Sequence, residues 1–237
     1  MSRFRFKVKS LYYSFLIHLP WNKKEQHLNL PSFSQSASAE RIDDLFKNPS
    51  ISDPKWKESG ATSEKEYLQW RYSGCGMVSF QMIWKYISGK KVPFVQLGKA
   101  CMKYGGYKFD EKAFKENNYH KSLEGMYYKG FLDFIKAEYR LEGWMNLEFS
   151  AEEVIYQLSR SNFVMASVTS DIRWYPEKVK PRGGHLIAIR GYNLKKKLIY
   201  FNDPAGIYNV SQENVSMPIS AFKTYFHNRG IIIFNPK

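Results

Sequence analysis

The sequence predicts an α+β domain whose helices come first and whose antiparallel sheet comes last. Apolar residues recur at helical spacing through 76–88, 94–103, 129–139 and 150–159. Short apolar runs of strand length begin at Phe163 and dominate from there to the C-terminus. The two kinds of segment are grouped rather than alternated, which argues against a wound parallel sheet. A chain of 237 residues can bury a full core, and 43% hydrophobic with 24% charged residues excludes a disordered polymer.

Taken in order, residues 1–27 read as a basic N-terminal extension and residues 28–237 as one folded domain. Leu28 to Gln35 alternates apolar and polar residues like a short strand, confined to a sheet edge by Pro31. The stretch from Ser36 to Glu66 is polar, with one short helix around Ile42, Leu45 and Phe46. Residues 76–88 are apolar on nearly every side and stop at Gly89, the pattern of a buried central helix. Ser150, with Glu153 three residues on, opens another helix as a capping box. Strands follow at 163–169, 185–192 and 198–203, then a short helix over Ile219–His227 and a last strand, Gly230–Phe234.

Two cysteines, Cys75 and Cys101, are too few for a disulfide framework and lack the company a zinc site needs. No cofactor is implied. The net charge is +14, but residues 1–24 hold six of the 36 basic residues and none of the 22 acidic ones. The remaining surface is evenly basic, without the interleaved cations and stacking aromatics of a nucleic-acid interface, so no nucleic-acid partner is expected. The apolar run at 11–19 is too short to span a membrane and has no nearby cleavage signal. The expected compartment is therefore the cytoplasm, with export or membrane-surface contact through the basic segment as the alternative.

The chemistry concentrates around Cys75. It lies between Gly74 and Gly76 at the start of the buried helix, where oriented amides stabilise a thiolate and small neighbours leave the sulfur accessible. A packed, inert thiol is the competing reading. Gln69, six residues earlier, could hold an oxyanion through its side-chain amide. His185 opens a strand after Gly183 and Gly184, a rigid position suited to a general base. If the following hairpin turns near Leu194, His185 lies opposite Asp203, which would orient the imidazole. A slip of one residue would bring Asn202 there instead, able to serve the same role.

The run C-G-M-V-S-F-Q-M-I, with Gln69 six residues before the cysteine, resembles the opening of the double-glycine-leader peptidase domain of bacteriocin exporters. The later G-G-H-L-I-A-I-R-G-Y and L-I-Y-F-N-D-P-A resemble that family's histidine strand and Asp-Pro motif, and L-P-S-F-S-Q the opening strand of its stand-alone members. The resemblance spans about residues 28–235 and implies a papain-like fold, with Cys75 as nucleophile, His185 as base, Asp203 as orienting acid and Gln69 as oxyanion donor. Gln35, at the end of the opening segment, is a second candidate for the oxyanion glutamine. The implied activity is bacterial cysteine-peptidase hydrolysis of a peptide or protein through a thioacyl-enzyme. Acyl or amide transfer by the same residues, and a non-catalytic binding module on this fold, are the alternatives.

Overall fold

Seven strands, each paired antiparallel to its neighbours, form a single sheet in the computed structural model, which describes residues 3–48, 52–176 and 184–236. Gly183, read as part of the glycine pair ahead of His185, lies outside the described residues. The chain begins with α1 (Arg3–His18) and β1 (Glu25–His27). It continues through α2 (Ile42–Lys47), α3 (Glu64–Ser73), α4 (Cys75–Ser88), α5 (Phe94–Met102), α6 (Glu111–Lys115) and α7 (Tyr128–Tyr139). Then come β2 (Gly143–Asn146), α8 (Ala151–Ser159), β3 (Phe163–Thr169), β4 (Gly184–Asn193) and β5 (Leu198–Asn202). β6 (Val215–Pro218), α9 (Ile219–Tyr225) and β7 (Phe226–Ile233) complete it. The sheet order is β2-β7-β3-β4-β5-β6, with β1 alongside β4. The α+β arrangement read from the sequence is the one observed.

α4 is the axis of the helical half. Gly76 to Ile83 are all buried, as its all-round apolarity predicts. It packs on β4, with α5 against it and α7 against α5. Phe80 of α4 meets Phe131, Phe134 and Tyr139 edge-on, so aromatic rings supply much of the core. Ser150 caps α8 as its sequence signature predicts, accepting from the Glu153 amide at 3.1 Å. The Glu153 carboxylate does not close the reciprocal half of that box: it pairs with Lys9 at 2.8 Å and so docks α1 on α8.

Several expectations change. Leu28–Gln35 forms no strand; Glu25–His27 pairs with β4 instead. Beyond it the chain is held by single bonds, Leu28 N–H to Arg190 O and Gln35 N–H to Pro204 O, a path that Pro31, with no N–H to donate, fits better than a ladder. The polar stretch contains more order than its composition suggests. Asp53, fully buried, accepts from Ser38 and from the Tyr67 hydroxyl, tying the segment to α3. The C-terminal helix stops at Tyr225, and Phe226 and His227 already belong to β7.

The β4–β5 hairpin turns later than expected. Asn193 lies opposite Leu198, and a bulge between Ile189 and Gly191 brings Ala188 opposite Asn202. His185 is therefore not opposite Asp203. Extending the ladder one step puts Ile187 there, and His185 is the diagonal neighbour two residues on, still on the same face. The turn alone would have faced the two residues apart; the one-residue bulge restores their common side.

Close approach also fixes α3 against α5. A Cβ on Gly98 would lie 2.1 Å from the buried Trp70 ring. Gly98→Ala is therefore expected to destabilise the protein by about 1–3 kcal/mol through overpacking, despite a helix-propensity gain of about 1 kcal/mol. Urea unfolding checks this: the midpoint should fall with the slope unchanged. An equal or higher midpoint would contradict the packing described.

Candidate active site

Cys75 is the first residue of α4, and its side chain is partly exposed. A Cβ on Gly76 would sit 2.8 Å from Met126 Sδ and 3.2 Å from Leu186 Cδ1, so a glycine lets both close on the helix start beside the sulfur. One turn further along, Ser79 donates its hydroxyl to the Leu186 carbonyl at 3.1 Å. That bond pins the helix that begins at Cys75 to the residue following His185.

His185 is the second residue of β4, paired across the sheet with Val168, and only 5% exposed. Its Nε2 donates to Asp203 Oδ1 at 2.6 Å, and the ring also hydrogen-bonds the Cys75 thiol. With Nε2 on the carboxylate, Nδ1 is the nitrogen left for sulfur. Asp203 is fully buried just past β5, in a turn closed by Gly206 N–H to its own carbonyl and by Ala205 N–H to its Oδ1. The Asn-Asp-Pro run is thus both a strand-ending turn and the mount for a carboxylate.

The electrostatics follow from that geometry. Burial pushes the Cys75 thiol up, but the hydrogen bond and charge of His185, with the Leu186 and Gly76 amides, hold it below the ordinary thiol value. Burial pulls His185 down, and the charge and hydrogen bond of Asp203 with a smaller contribution from Cys75 raise it to about 9. Burial opposes ionisation of Asp203, yet His185, the Arg173 charge and the Ala205 amide keep it below the usual carboxylate range. Each charged form in the row, thiolate, imidazolium and carboxylate, is thus stabilised by its neighbours against the cost of burial. Cys101, by contrast, is fully buried with its thiol pushed up to about 12.

The other candidates are placed as follows. Asn202 points away from His185: its amide donates to the Leu30 and Pro31 carbonyls, and its oxygen accepts from Asn214 N–H. Gln69 is buried on α3, with its amide donating to Ser122 O at 3.2 Å. Gln35 donates to Arg71 O at 2.9 Å and ties the N-terminal strap to the end of α3.

Cys75 opens into a groove of about 780 Å³, within the range of ligand-binding clefts. Tyr72, His120, Leu123 and Met145 contribute its apolar and aromatic lining. Arg229 also lines it, with Nε on Ser167 Oγ at 3.3 Å, and the Tyr128 hydroxyl shares that serine. Glu124 is the one acid among the lining residues, and it accepts from the Tyr127 hydroxyl. Ser79, Arg229 and the Tyr128–Ser167 pair carry no local sequence signal. They become visible only once β3, β4 and β7 lie side by side.

A thiol at a helix start, a histidine on the facing strand and an acid behind it, on this α+β scaffold, define a papain-like arrangement. The chain belongs to the Peptidase_C39 like family, whose model matches residues 62–231, and is a relative of the C39-type papain-like cysteine peptidases. It is thus a peptidase-family hydrolase, with peptides or proteins as the substrate class. No curated protein matches it.

Iodoacetamide is expected to label Cys75 at neutral pH while Cys101 stays unlabelled in the folded protein. The labelling rate should rise with pH through a midpoint below the free-thiol value of about 8.5. His185→Ala removes the groups that depress that midpoint and should move it upward. Peptide mapping of the alkylated protein across pH checks this, and equal labelling of the two cysteines would refute it.

Proposed function

We propose that this protein cleaves peptide bonds through a thioacyl-enzyme on Cys75. The observation that carries the reading is the hydrogen-bonded row Cys75–His185–Asp203, with its sulfur open to the groove. The thiolate attacks the scissile carbonyl carbon, and the carbonyl electron pair moves to oxygen. Gln69 and the Cys75 N–H hold that oxyanion; a primary amide has two N–H groups, and the bond to Ser122 uses one. Imidazolium His185 gives its proton to the leaving amine as the C–N bond breaks. Neutral His185 then takes a proton from water, whose oxygen attacks the thioester; the C–S bond breaks, releasing the acid and restoring the Cys75 thiolate beside imidazolium His185. Asp203 keeps Nε2 protonated and stabilises the imidazolium throughout.

The preferred peptide is acidic near the scissile bond. Arg229 and Lys121 line the groove, and Glu124 is their only acidic counterpart among its described lining.

Cys75→Ala should abolish hydrolysis, and Asp203→Ala should lower kcat/KM on the order of 10²-fold or more. Gln69→Ala is expected to cost about 10²–10³ in kcat, whereas Gln35→Ala should cost stability and leave kcat nearly unchanged. A quenched-fluorescence peptide library supplies the substrate for these assays. The opposite glutamine result would move the oxyanion role to Gln35. Arg229→Gln should lower kcat/KM about tenfold for peptides with Asp or Glu near the cut, the loss of one charge-assisted contact of about 1.4 kcal/mol. The same variant should spare peptides bearing Gln there; an equal loss on both would refute the acidic preference. Because of the coupled pair, kcat/KM should be bell-shaped, its acid limb set by thiolate formation and its alkaline limb by loss of the imidazolium proton near 9.

A further inference from the structure

Helix α1 is apolar on two opposite faces, and the fold uses only one. Its inner face docks on α8: Ile17 is buried, Tyr13 packs on Tyr156 with ring centroids 5.2 Å apart, Ser10 donates to Glu152, and Lys9 pairs with Glu153. Phe4, Val8, Leu11 and Phe15 follow at spacings of four, three and four residues and lie along the opposite side. They are 73, 51, 69 and 65% exposed. At 1.5 Å per residue the stripe runs about 16 Å. Tyr12 and, just past the helix, Trp21 extend it, the latter 77% exposed.

We propose that this face seats the protein on the surface of an anionic lipid bilayer. The charge around it selects that occupant. Arg5 and Lys7 flank the stripe and are exposed. Residues 1–24 carry six cations and no acid, so a second copy of the same face would be repelled. A cationic helix with an aromatic and aliphatic face suits the headgroup boundary, where Trp and Phe insert and Lys and Arg meet lipid phosphates. No helix among the described residues is long and apolar enough to cross a membrane, so α1 lies on the surface.

The seat adjoins the groove. Lys9 also donates to the Glu148 carbonyl at 3.0 Å. The preceding residue, Leu147, is 63% exposed and lines the groove with Met145, while Trp144 beside them is equally exposed. Lys9 thus ties α1 to the segment whose exposed apolar residues line the groove mouth.

Co-sedimentation of the full chain with vesicles tests this, using phosphatidylcholine alone and phosphatidylcholine mixed equally with phosphatidylglycerol. The protein should bind the anionic vesicles, more weakly at high salt, and bind the neutral ones poorly. The double variant Leu11→Ser/Phe15→Ser should weaken anionic-vesicle binding about tenfold or more. Arg5→Glu/Lys7→Glu, at two exposed positions, should do the same. Unchanged iodoacetamide labelling of Cys75 would show that both variants are folded. Failure of the unaltered chain to bind anionic vesicles would overturn the proposal, as would variants that bind like it. So would a self-associating chain, by sedimentation velocity, that Leu11→Ser/Phe15→Ser makes monomeric without any vesicle binding. None of these outcomes depends on peptide cleavage.

Discussion

Burying an imidazole beside a carboxylate removes both from water, and each must recover that loss from the other. His185 and Asp203 do so through one short bond, with the second ring nitrogen left to the thiol. Such a pair tolerates little slack, and the surrounding structure holds it tightly. β4 sits between β3 and β5, its start clamped by Val168 and its end by β1. The Asp203 backbone is fixed separately, by its N–H on Gln212 O and by the turn that follows. The helical half is tied in by the Ser79 hydroxyl, at the residue next to His185. Thiol, ring and acid thus come from three elements, each anchored by bonds outside the row that joins them.

The site was legible in the sequence to the extent that it is built from short, chemically loaded runs. Gly-Cys-Gly before an apolar helix, a histidine opening a strand and Asn-Asp-Pro ending one are each local signals. Local sequence pairs Asp203 with His185 for an incomplete reason: the observed turn centres between 195 and 196 rather than at Leu194, and nothing local signals the bulge. A bulge depends on Arg190 turning its carbonyl to Leu28, a contact 162 residues away in the chain. The groove charge was illegible for the same cause: Arg229 reaches Ser167 only because β7 and β3 are neighbours.

The N-terminal half was harder. α3 is rich in polar and charged residues, and its order comes from buried partners such as Asp53 for Tyr67. α1 failed to stand out because amphipathic patterning assumes one wet face and one dry one. With Ile17 and Tyr13 on one side and Phe4, Leu11 and Phe15 on the other, its apolar residues cancel around the axis. Its two-sidedness is therefore what hid it, and is also what remains unaccounted for once α8 is covered.

The bulge beside Gly191 carries a consequence for how this chain can vary. Side chains along a strand alternate, so any change in residue count within the paired strands between His185 and Asp203 acts as an even-or-odd switch. Gaining or losing one residue there turns the carboxylate outward and brings the neighbouring amide in; gaining or losing two leaves the pairing intact. Residues 195–197 at the hairpin tip are exposed, and a change of length there is harmless only while Asn193 stays opposite Leu198; the even-or-odd rule binds the strands on either side of it.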